Sequence, residues 1–247
     1  MHKLREMLNS KLGKLLFWTI FPVAIYLSFG FIIKFAMVLA AQFFTDPEAI
    51  ITDPIFTAIY SVLFYGAMLA AIYFIPTKLF KFKITKQDLG LAKEFSWADI
   101  GLGILGFIVA MILAAIFTSI IAAIVPNFNI NQAQKIGFMG LVKPYEFILA
   151  FICVVILPSI VEELIFRGIM YGELRKISVL WAVILVSVLF GAAHGQLNVA
   201  ITTFAMSLVM CFTREKLTDS IWAGMVLHFI KNAIGFVIIF TMPGLWL

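Results

Sequence analysis

Seven apolar runs, each close to the length that crosses a bilayer, recur along this chain, and nothing in the sequence constrains its fold more. They are read at residues 15–44, 54–79, 97–125, 144–171, 179–194, 199–212 and 217–240. A hydrocarbon core about 30 Å thick takes roughly 20 helical residues to cross. Within it every backbone N–H and C=O must find a partner inside the protein, so only helices or a closed barrel can span it. Most of these runs are too long for barrel strands. Composition agrees: 63% of the 247 residues are hydrophobic and 13% charged, with mean hydropathy +1.09. A soluble domain sits near half apolar and a quarter charged. The sixth run is the short one, and the stretch 127–143 has room for a further short or interfacial helix. The expected fold is therefore all-α: one polytopic transmembrane bundle of 7–8 helices over residues 1–247, with N-terminal helices over 15–125 and a C-terminal core over 144–240.

The connections alternate in charge. Lys3, Arg5, Lys11 and Lys14 precede the first run, and Lys78, Lys81, Lys83, Lys86 and Lys93 follow the second. Arg167, Arg175 and Lys176 lie between the fourth and fifth, and Arg214 and Lys216 between the sixth and seventh. The opposite connections hold Lys135 and Lys143, with Asp46, Glu48 and Asp53 in the first of them. The positive-inside rule then puts the N-terminus in the cytoplasm. The net charge of +5 speaks for topology and anionic lipid rather than nucleic acid, since no basic stripe is interleaved with aromatics. The first run is about twice a signal-peptide core and reads as an anchor. Cys153 and Cys211 fall within runs and read as packing. Gly101, Gly103 and Gly106 spell G-x-G-x-x-G, but no strand precedes them, so they read as small residues that let two helices approach. Lys34 and Lys231 read as snorkelling or lipid-facing cations.

Against this background the segment Val161–Arg167 stands out: it reads Val-Glu-Glu-Leu-Ile-Phe-Arg. One acidic side chain near a bilayer centre costs about 2.5–3.5 kcal/mol, and an adjacent like charge adds to that. Glu163 and Arg167 form an i, i+4 pair in the favourable order, acid first. That leaves Glu162, about 100° round the helix, to point elsewhere. If the fourth and fifth runs form a hairpin turning at Ser178, Glu162 lies 16 residues before the turn and His194 16 after it. Both then stand about 24 Å along their helices. Counted from Lys216, His228 and Asn232 stand at about 18 and 24 Å. Phe190 is one turn from His194 and supports its ring, while Pro158 frees the carbonyl of Val154 and invites a kink and a local water site. Each group alone is explained by packing: a hydrogen-bonded histidine, an interhelical asparagine, a structural ion pair. Acid, imidazole and amide at one depth exceed what packing needs.

The motifs Glu-Glu-x-x-x-Arg (Glu162, Glu163, Arg167), Phe-x-x-x-His (Phe190, His194) and His-x-x-x-Asn (His228, Asn232) stand in the order seen in the CPBP intramembrane proteases. This family is also called Abi or CAAX-protease-like, and Gly168 fits its pattern too. The chain resembles it over roughly 144–239, which implies an intramembrane endopeptidase with its active site in the membrane between the fourth, fifth and seventh helices. By that resemblance Glu162 activates water, His194 holds it, His228 and Asn232 form the oxyanion hole, and Glu163 and Arg167 orient them. Partners are then a membrane-associated peptide or protein and the lipid bilayer, in a multi-pass protein of a bacterial cell membrane. A carboxylate and two imidazoles also form a zinc set, so a metallo-endopeptidase would ligate the ion with Glu162, His194 and His228. The favoured mechanism needs no cofactor, because the sequence has no H-E-x-x-H pair and Asn232 has no place among zinc ligands. Two other functions stay open: a proton-coupled transporter, against which the polar groups crowd into one half without a repeat, and a non-catalytic immunity or scaffold protein.

Overall fold

A computed structural model describes residues 8 and 10–241 apart from 133, 135 and 139. Lys3, Arg5 and Lys135, used above for orientation, lie outside the described residues. The described residues form eight helices and no strand: α1 Lys11–Ala41, α2 Pro47–Thr52, α3 Pro54–Leu79, α4 Trp97–Ile124, α5 Pro144–Leu174, α6 Val179–Ala192, α7 Leu197–Thr218 and α8 Trp222–Thr241. Six are long and apolar enough to cross a membrane, and α6 is a shorter apolar helix. The chain is thus a multi-pass helical membrane protein.

Two expectations change. The short apolar helix is α6, with 14 residues, because His194 turns the chain two residues after its end. The sixth run is not short: α7 continues to Thr218 in a wider π winding. The stretch 127–143 forms turns rather than a helix where described, and the extra short helix is α2. Helix starts follow from local capping. Asp46 accepts from Ala49 N–H, Asp53 from the N–H groups of Ile55 and Phe56, and Glu146 from those of Val142 and Lys143. These bonds satisfy donors that have no partner inside the helix.

Helix α5 is the hub. It packs on α1, α3, α6 and α8, while α4 lies against α7 and α8. Gly103 and Gly106 explain the last contact. A Cβ on Gly103 would stand 2.5 Å from Val226 Cγ1, and one on Gly106 3.0 Å from Leu227 Cδ1. Gly101 meets nothing within 4 Å. The small-residue reading therefore holds for two of the three glycines. Along α5 the winding widens to a π-helix twice, at Ile152–Ile156 just before Pro158 and at Glu163–Met170. Such segments are rare and concentrate at functional sites. The second begins between the two glutamates.

Candidate active site

The two adjacent acids have different surroundings. Glu163 is fully buried and accepts from Arg167 Nη1 at 2.9 Å, the pair expected from their spacing. His228 joins them, its Nδ1 3.0 Å from the same Glu163 Oε1. The other imidazole nitrogen, Nε2, lies 3.9 Å from Glu162 Oε2. One ring of α8 therefore bonds Glu163 and turns its other nitrogen toward Glu162. The remainder of the Arg167 guanidinium lies over the Phe190 ring, 4.0 Å from its centre, a cation–π contact that suits a buried charge.

Glu162 keeps 15% of its side chain exposed and faces a cavity of roughly 270 Å³. Tyr65 of α3 donates to its Oε1 at 2.8 Å. His194, His228 and Asn232 line the same cavity, with Val154 and Pro158 on its wall. The three polar groups counted to one depth with Glu162 are thus brought together with it. Lys231 lines this cavity as well, so its reading as a lipid-facing cation is overturned. The sign was present in the sequence, because Lys231 is three residues from His228 and shares its helix face. Lys34, by contrast, is exposed.

His194 owes its orientation to the end of α6. A helix leaves its last carbonyls without partners, and His194 Nδ1 sits 2.8 Å from Phe190 O, one of them. A carbonyl only accepts, so Nδ1 carries the proton and the neutral ring keeps an acceptor at Nε2. Tyr26 of α1 donates to Ala193 O at 3.0 Å, holding the same turn. Phe190 stacks edge to face with both histidines, at 5.1 and 5.6 Å between ring centres. It walls the two rings rather than one. Tyr26, Tyr65 and Lys231 line the candidate site although the motifs do not contain them.

Among the described residues no three His, Cys, Asp or Glu side chains are arranged to hold a metal ion. Glu162, His194 and His228 share the cavity without forming such a group, and His228 Nδ1 is engaged by Glu163. Every polar group of the three motifs lies on α5, α8 or the turn that ends α6. Residues 144–234 match the Rce1-like family. The matching family model is the type II CAAX prenyl endopeptidase Rce1-like one, and it bears out the resemblance read from the motifs. The Rce1-like segment starts with α5, contains all seven motif residues and stops two residues beyond Asn232. It covers well under half of the chain, and α1 to α4 lie outside it. No curated protein and no solved structure matches the chain. The family supports a protease of the CAAX endopeptidase kind.

Proposed function

We propose that the protein is an intramembrane endopeptidase that hydrolyses a peptide bond of a membrane-associated peptide or protein, with Glu162 as general base. The observation that carries this reading is the contrast between the acids: Glu163 is sealed by Arg167 and His228, while Glu162 opens on a polar cavity with His194 and Asn232. One water bonded through its two hydrogens to the Glu162 carboxylate and to His194 Nε2 turns its oxygen toward a carbonyl carbon. Glu162 takes one proton as the C–O bond forms, and the carbonyl oxygen becomes an oxyanion. Asn232 donates its amide N–H to that oxygen, and His228, whose Nδ1–H is held by Glu163, donates from Nε2 in its imidazolium form. Each such donor is worth about 3–4 kcal/mol in the transition state. As the tetrahedral intermediate collapses, Glu162 returns the proton to the leaving amine. Tyr65 holds the carboxylate in place throughout, and Glu163 with Arg167 fixes His228.

No step above uses a metal. If zinc is the resident cofactor, Glu162, His194 and His228 would hold it, and it would polarise the water and the scissile carbonyl. The basic connections support a cytoplasmic N-terminus in the cell membrane. The test compares the peptides of membranes carrying the wild type or Glu162→Gln. Cleavage products should vanish in the variant while the protein still inserts, and chelation should leave wild-type cleavage intact. Full activity of Glu162→Gln would sink the proposal. Loss on chelation with recovery on zinc would replace the mechanism but not the activity.

A further inference from the structure

Arg214 was counted with the basic connections, yet it is buried in α7 with 1% of its surface exposed. Its guanidinium donates to backbone: Nη1 to Gly168 O at 3.1 Å, and Nη2 to Asp88 O at 2.6 Å and Gln87 O at 3.4 Å. It forms no ion pair among the described residues. A charge so deeply placed is retained at a desolvation cost and needs its hydrogen bonds. Here they join two stretches of chain that sequence separates widely, the α3–α4 connection and the wide-wound part of α5.

The connection fits α5 closely. A Cβ on Gly172 would overlap the Asp88 carbonyl oxygen, and one on Gly168 would come within 3.3 Å of Leu89 O. Gly90, with φ +68°, turns the chain against Ile221 and Arg214. The same connection then holds the start of α8. Ile221 N donates to Gly90 O at 3.2 Å, Trp222 Nε1 to Lys93 O at 2.8 Å, and Lys93 Nζ to Thr218 O. Gly168 lies inside the π segment that carries Glu163 and Arg167, and Trp222 is six residues before His228. One strap therefore grips both helices whose side chains meet at Glu163 and His228.

We propose that the α3–α4 connection, stapled by Arg214, is a register clamp that sets the axial position of α5 against α8 and so holds the Glu163–His228 contact. A π winding is rare, and on this proposal the clamp is what holds it here against ordinary α-helix. Relaxation by one residue would carry Glu162 away from the cavity, and about 1 Å of misplacement costs on the order of 100-fold in rate. Arg214, Gly168 and Gly172 are positioning residues. The geometry of the clamp stands by itself, and its catalytic consequence rests on the proposal that Glu162 is the base.

The test uses the full chain in nanodiscs, with Arg214→Gln, Arg214→Lys and Trp222→Phe. Hydrogen exchange should quicken over 163–170 and 222–228 in Arg214→Gln, with α1 unchanged. On a peptide cleaved by the wild type but not by Glu162→Gln, kcat should fall roughly 100-fold with KM little altered. Lysine should rescue little, because an ammonium lacks the fork that reaches several carbonyls. Trp222→Phe frees only the α8 end and should quicken exchange over 222–228 alone. Unchanged exchange over 163–170 in a folded Arg214→Gln variant, or a raised KM with kcat intact, overturns the clamp. Should Arg214→Gln not fold, unchanged exchange in Trp222→Phe overturns it. If the wild type cleaves nothing, the exchange results still decide the clamp while the protease reading fails separately.

Discussion

The N-terminal helices and the C-terminal core solve the same solvent problem differently. Only 6% of the most apolar stretch of α1 is buried within the protein and 28% of that in α3, against 44% in α5 and 56% in α7. The first group presents its apolar side chains to lipid, while the second turns inward around acids, imidazoles and two buried arginines. Yet the lipid-facing group is not inert, since Tyr26 and Tyr65 reach across to the Ala193 turn and to Glu162. The proposed chemistry sits in the core, and two side chains of the outer helices bond into it.

That division can be broken or sharpened by substitution. The largest effect belongs to the core: Glu162→Gln should lower turnover by about 10²–10⁴-fold, the range of a lost general base, measured as product release in membranes. Tyr65→Phe removes a bond to a charged group, commonly worth about 1.5–3 kcal/mol. It should cost at least about tenfold in kcat, and a loss as large as that of Glu162→Gln would erase the distinction between the halves. Gly103→Leu forces a side chain into Val226 and should destabilise by about 1–3 kcal/mol in thermal unfolding. Gly101→Leu, with open space, should be neutral or better.

The smallest effect is at the strap. Burial alone would raise the Asp88 carboxyl, but hydrogen bonds from Lys176 and Thr85 outweigh it and hold it below the ordinary 3.8. Burial would lower Lys176, yet its bonds to Asp88 and Glu173 hold it above 10.5. The Asp88 contribution is present above its unfolded value and fades as pH falls through the lower folded one. That of Lys176 is present below its unfolded value and fades as pH rises through the higher folded one. Glu173 faces Lys176 from the same turn, while Arg175 is engaged by Glu215 and Asp219. Unfolding temperature should therefore respond to this pair only at the acid and alkaline ends. Lys176→Gln should remove the alkaline response and weaken the acid one, which Thr85 still supports.

The motif half of the site is legible because counting residues from a turn puts Glu162 and His194 at similar depth, although the π winding at Glu163–Met170 and the end of α6 at Ala192 depart from an even rise. The count for His228 assumed an unbroken helix from Lys216, whereas α7 ends at Thr218, Asp219 takes φ +51° and α8 starts at Trp222. The company was right although the ruler was not. Tyr65 left no trace in the spacing, since 97 residues separate it from Glu162 and it is one aromatic among many. Arg214 was hidden for the opposite reason. A cation at a helix end reads as a topology signal, and only the packing of a distant connection shows that it is inside.

The brevity of α6 ties the site to the lipid. Fourteen residues rise about 21 Å, short of a hydrocarbon core about 30 Å thick. His194 stands just past that end, so the carbon chains of the surrounding lipid decide how much water and polar backbone they must tolerate beside it. Thin bilayers match such a helix, and thick ones must dimple around it at a cost of fractions of a kcal/mol per ångström. Bilayer thickness is thereby made a variable of this cavity, as much as the acid that lines it.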